Sequence, residues 1–166
     1  CIKRKAIPAF KVYGGFPYAV CSSPNEKVVH GFPDDRPLLE GEILSIDFGV
    51  LYDGFYGDSA FTAPVGKISA DASHLLKVTE ESLAKGIAAS VVDGRLSDIS
   101  HAVQSHVEKE GFSVVREFVG HGIGEQFRTT APAAPELLGE SGSQPFVRGA
   151  RDLCCQGAAC LRVRAS

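Results

Sequence analysis

Two aspartates, Asp47 and Asp58, flank the dipeptide Asp53-Gly54. Carboxylates are hard oxygen donors, suited to holding a divalent cation. Asp-Gly between apolar runs is a strong signal for a two-residue hairpin turn. Such a turn pairs Tyr52 with Phe55, sets Asp47 opposite Ala60 and sets Asp58 opposite Gly49. Opposed residues share a face, as do residues two apart on one strand. The two aspartates then become diagonal neighbours with Cα atoms about 7–8 Å apart. Carboxylates so placed repel each other unless a cation or a retained proton compensates. Glycine opposite Asp58, and Gly57 before it, would leave room for an ion. The alternative is a solvent-exposed face on which the aspartates are ordinary polar alternation. A slip of one residue would also separate the pair.

Five histidines add imidazoles. His74, His101 and His106 fall on helical sequence without clustered partners and read as surface residues. His30 ends an apolar piece beside Gly31. His121 lies in Gly120-His121-Gly122-Ile123-Gly124, where neighbours without bulk let an imidazole reach into a cavity. That run has neither the Lys-Ser/Thr ending nor the spacing of a phosphate-binding loop. Of five cysteines, Cys1 and Cys21 stand apart, and Cys154, Cys155 and Cys160 crowd near the end in no zinc-binding spacing. An odd count without a secretion signal argues for reduced thiols in a cytosol.

The elements that must hold these groups are legible in outline. Lys27 to His30 reads as a short strand and Pro33 to Pro37 as a loop. Glu42 to Leu51 reads as a strand with Leu44, Ile46, Phe48 and Val50 on its apolar face, returning as Phe55 to Val65. Ser69 can cap a helix running to Val91, with Leu75, Leu76, Thr79, Leu83 and Ile87 as its stripe. Ser97 to Glu110 is a second helix, with Ile99, Ala102, Val103 and Val107 on one face and Gly111 past its end. Phe112 to Val119 reads as a further strand. The order predicts an α+β fold, helices packed on one face of a mainly antiparallel sheet. Residues 1–127 form one domain. From Arg128 to Ser166 the chain is dense in Ala, Gly, Pro, Arg and Cys without sustained period, and reads as an irregular tail.

With 166 residues and a formal net charge of −3, the chain suits one domain and shows no basic character of the kind nucleic-acid binding needs. No apolar run approaches the roughly 18 residues of a membrane span. No apolar segment of a signal peptide follows the basic start at Cys1 to Lys5. The absence of any methionine, and a start within loop-like sequence, lead to the expectation of a truncated record.

Four stretches, in order, resemble the type I methionine aminopeptidases. They are Asn25-Glu26-Lys27-Val28-Val29-His30-Gly31-Phe32-Pro33, Ser45-Ile46-Asp47-Phe48-Gly49, Asp53-Gly54-Phe55-Tyr56-Gly57-Asp58, and Phe112 through Gly120-His121-Gly122-Ile123-Gly124. The resemblance runs from about residue 5 to Phe127. It implies the pita-bread fold, two pseudo-symmetric halves around the site, with the second half incomplete here. It implies two divalent metal ions (Co, Mn, Fe or Zn). Asp47 would bind one ion, His121 the other, and Asp58 would bridge them. His30 would contact the scissile peptide as a catalytic and substrate-binding group. Tyr13, Phe16, Cys21 and Phe127 would line the methionine pocket, where ordinary core packing is the alternative. The implied reaction is hydrolysis of the first peptide bond at the N-termini of nascent polypeptides by a cytoplasmic monomer, with the ribosome as a further contact.

The resemblance breaks at Arg128. A second histidine followed by Glu and Pro is expected there, and Arg128 is followed by Thr129, Thr130 and Ala131. No later segment resembles the two glutamate motifs, so three of five ligands are present, and weak metal binding and impaired hydrolysis are expected. Translation in a wrong frame would explain the tail; a divergent C-terminus is the alternative. Two other functions remain open: a proline-directed aminopeptidase or prolidase, against which the Asn25 to Pro33 stretch speaks, and a non-catalytic binding module.

Overall fold

A computed structural model describes residues 1–116, 118, 120–127 and 161–162. Its centre is a hairpin of β3 (Ile43–Tyr52) and β4 (Phe55–Pro64), paired along their whole length with Tyr52 opposite Phe55. The register is the one the turn dictates. Asp53 and Gly54 both adopt left-handed φ, 49° and 81°, the geometry of a type I′ turn that matches the twist of its strands. Two short strands share the other edge of β3: β2 (Cys21–Pro24) alongside Leu44 to Asp47, and β1 (Ile7–Pro8) alongside Val50 and Leu51. A 3-10 turn at Ala9–Val12 follows β1 and drops Ala9 and Phe10 into the space between.

Two helices follow the hairpin, α1 (Ala70–Ala89) and α2 (Leu96–Lys109), and pack on each other. Ser69 caps α1, its hydroxyl accepting the Ala72 N–H at 3.1 Å. The Asp98 carboxylate accepts the Arg95 N–H at 3.0 Å and starts α2. Gly111, at φ 84°, turns the chain out of α2. The helices pack through Val78, Ile99 and Val107, all buried. Gly86 sets their spacing, since a Cβ there would meet Val103 Cγ2 at 3.0 Å.

Several expectations are corrected. The buried stripe of α1 is Val78, Thr79, Ser82 and Gly86, and Ile87 is 63 % exposed. Small residues win that face because they allow the helices to approach closely. Lys27 to His30 is not a strand; the strand beside it is Cys21–Pro24. Among the described residues, the strand expected over 112–119 is β5 (Ser113–Val114), which pairs antiparallel with β6 (Leu161–Arg162). His106 is no surface residue: its side chain is 11 % exposed and its Nε2 lies 3.1 Å from Glu81 Oε2, tying α2 to α1. The irregular tail expected over 128–166 otherwise lies outside the described residues.

Candidate metal centre

The face of the hairpin carrying the aspartates is the buried one. Asp47 is 7 % exposed, and the Asp58 side chain is 1 % exposed. The aspartates stand opposite Ala60 and Gly49, as the turn requires, and share one face. The solvent-exposed alternative is thereby removed. The space over Gly49 is not free for an ion, however. A Cβ there would meet Ala9 Cβ and Phe127 Cε2 at 3.0 Å and Phe10 Cε1 at 3.1 Å. Ala9 and aromatic packing close that side.

His121 completes the group. Its Nδ1 lies 3.0 Å from the Gly122 carbonyl oxygen. A carbonyl can only accept, so Nδ1 carries a proton, and Nε2 is the ring atom left to face the carboxylates. That Nε2 is 3.7 Å from Asp58 Oδ2. Within this cluster His121 Nε2 and Asp47 Oδ1 are buried without a hydrogen-bond partner. A ring nitrogen this near a carboxylate needs a proton or a cation between the two. Burial, then the neighbouring charge of Asp58 and a hydrogen bond with it, push the Asp47 carboxyl up to about 7. Cys21, paired with Asp47 across β2 and β3, has its thiol pushed up to about 11 by burial first and by Asp47 and Asp58 next. It is an inert, neutral neighbour.

The four residues read as a pocket converge beside this group. Cys21 and Phe127 belong to one buried cluster with Ala9 and Phe10, and Phe16, Tyr56 and Ile123 pack against it. Tyr13 lies 4.8 Å from Phe127 between ring centroids, and the rings of His121 and Phe127 are 6.0 Å apart. Ala9, Phe10, Tyr56 and Ile123 were not legible in sequence as members: Ala9 and Phe10 sit in a short 3-10 turn with no period to reveal their face. His30 is exposed, at φ 58°, with its ring edge-on to Phe118 at 6.1 Å. It is held next to β2, where the Ser22 N–H donates to the Gly31 carbonyl at 2.8 Å and the Gly31 N–H donates to Ser23 Oγ at 3.1 Å. A Cβ on Gly31 would collide with the Ser22 carbonyl, so glycine is required for that approach.

The donor chemistry fits a divalent cation: two carboxylates and an imidazole whose inner nitrogen is bare. The donor number falls short. Among the described residues no group of three or more His, Cys, Asp or Glu side chains stands close enough to hold an ion unaided. Among those residues, too, no helix is long and apolar enough to cross a membrane.

Residues 2–149 match the description "Metallopeptidase family M24", a match that runs past residue 127. Methionine aminopeptidase 1 of Bacillus subtilis is 56 % identical over 123 residues, which are 74 % of this chain and 50 % of that protein. The chain thus spans about half the length of the curated relatives it matches. The solved methionine aminopeptidase of Thermotoga maritima superposes with a TM-score of 0.83 at 36 % identity, over 98 % of this chain and 71 % of that one. A prolidase from Pyrococcus furiosus superposes with a TM-score of 0.63 at 18 % identity, over 70 % of this chain and 35 % of its own, a likeness of fold alone. The sheet and helices are those of the pita-bread fold these structures share.

Proposed function

The chain belongs to metallopeptidase family M24, and from that premise we propose that it carries the substrate-side half of a methionine aminopeptidase, acting on the N-termini of nascent polypeptides. The observation that carries this reading is the buried pair Asp47 and Asp58 with the bare Nε2 of His121 turned toward Asp58 at 3.7 Å. Asp47 would hold one divalent ion, His121 the other, and Asp58 both. When bound, such ions polarise a peptide carbonyl and lower the pKa of water. The chain's own residues do the rest. Tyr13, Phe16, Cys21 and Phe127 exclude water and take up the methionine side chain by apolar contact. His30, on its strained backbone, donates a hydrogen bond to the scissile peptide and steadies charge developing there.

With three donors among the described residues, the carboxylates are poorly neutralised and an ion is weakly held. We therefore expect this chain to hydrolyse little. The test is release of methionine from a Met-Ala-Ser peptide with added manganese or cobalt. Turnover near that of a complete two-metal peptidase would refute the impairment. Absent metal uptake with a stable, monodisperse fold would instead favour a non-catalytic binding module, a reading that the short donor count supports. An Xaa-Pro peptide in parallel tests the proline-directed alternative. A cytoplasmic monomer that meets its substrates at the ribosome is the setting this reading implies.

A further inference from the structure

Glu42 lies outside the centre just described and gathers an unusual set of donors. Its Oε1 accepts from Asn25 Nδ2 at 2.9 Å and from Arg36 Nη1 at 3.0 Å. Its Oε2 accepts the Leu39 N–H at 2.8 Å. These contacts close the base of the segment between β2 and β3. That segment leaves β2 after Pro24 and returns at Ile43. Asn25 is the other half of the closure. Its N–H donates to the Ile43 carbonyl at 2.9 Å, and its Oδ1 accepts the Ile43 N–H at 3.1 Å. It does so at a left-handed φ of 51°.

The segment is therefore fixed at two places, at Asn25 by Ile43 and Glu42 together and at Gly31 by Ser22 and Ser23. Only Glu26 to His30 lie between. An arc this short, pinned at both ends, has little freedom to choose its dihedrals. That is how His30 can be kept at a φ of 58°, which costs a non-glycine residue conformational energy. Without Glu42 the Asn25 side-chain amide loses its anchor, that end of the arc is held by Ile43 alone, and the backbone of His30 can relax.

We propose that Glu42 is a positioning residue for His30, acting through Asn25 and the closed base of the 25–42 segment, with Arg36 as the cation that orients its carboxylate. This deepens the reading of His30 given above and rests on it for its catalytic consequence. Hydrogen bonds from Leu39, Arg36 and Asn25 hold the Glu42 carboxyl below the usual range, so the closure stays charged through the assay range.

The experiment uses the full chain and two variants, Glu42→Ala and Glu42→Gln. The His30 ring signal is followed by proton–carbon NMR, assigned by its loss in His30→Ala, with the His121 signal as internal control. The expected result is a shifted or broadened His30 signal in Glu42→Ala, a smaller change in Glu42→Gln, and an unmoved His121 signal. Exchange of the Gly31 amide should quicken in the same order. A His30 signal unchanged in both variants overturns the proposal, as does loss of all histidine signals together in Glu42→Gln, which would make Glu42 merely structural. Peptide hydrolysis separates this from the parent reading. Where the native chain shows measurable residual turnover, His30→Ala without effect on it sinks the role of His30. If His30→Ala lowers kcat, then Glu42→Ala should lower it about tenfold alone and add nothing in the His30→Ala background. Independent, additive losses would overturn the positioning role.

Discussion

Asp47 is a carboxyl in the wrong surroundings for its charge. Its pKa is raised from 3.8 to about 7, so the folded chain keeps a proton that the unfolded chain has lost. Stability in metal-free buffer is then full below about pH 4, falls as pH rises toward 7, and stays reduced above it. Asp47→Asn removes that penalty. It should raise the metal-free unfolding free energy at pH 8 by an amount on the order of 1–3 kcal/mol, seen as a higher Tm, with no gain at pH 4. It should also abolish any rise in Tm on adding manganese, in the same thermal melts. A lower Tm at pH 8 would mean that Asp47 is already neutralised by something else. The pairing of Asp47 with Asp58 was legible in sequence because both lie within a few residues of a turn whose type its dipeptide fixes. The partnership of Asp58 with His121 was not. It is made by a loop over sixty residues away, and no local period encodes such a meeting.

At the scale of elements, the β3–β4 hairpin positions both carboxylates and depends on its turn. Gly54 has open space around it, so Gly54→Ala meets no clash; it meets only the cost of φ at 81°. The expected loss is about 1 kcal/mol, read from the urea midpoint at unchanged slope. Cys21, reporting through its thiol reactivity toward a maleimide, should become more accessible as the sheet loosens. Helix α1 shows why its apolar stripe misleads. Leu83 and Ile87 look like core by hydrophobicity, yet Ser82 and Gly86 are the buried residues, because contact with α2 selects for small size. The segment before His30 misleads differently. Val28 and Val29 favour a strand, but the chain is bent back on β2 by hydrogen bonds of Gly31 to Ser22 and Ser23, and no ladder partner remains for it.

As a whole, the described molecule leaves one face of its hairpin thinly covered. Tyr52, Phe55 and Phe61, which point to that face, are 58 %, 57 % and 48 % exposed. An apolar surface of this kind binds hydrophobic dyes. Anilinonaphthalene sulfonate should fluoresce with the native chain, and Phe61→Ser should reduce the signal while costing no more than about 0.5 kcal/mol of stability. No enhancement with the native chain would mean that the face is covered in solution. The hairpin itself constrains how such a chain can drift in length. An extra residue between Asp53 and Gly54 enlarges a loop and leaves every cross-strand partner in place. One extra residue within 48–51 or 56–57 inverts the aspartate beyond it to the opposite side of the sheet, or forces a bulge. Insertions and deletions among descendants of this sequence should therefore gather at the turn and spare the short stretches beside it.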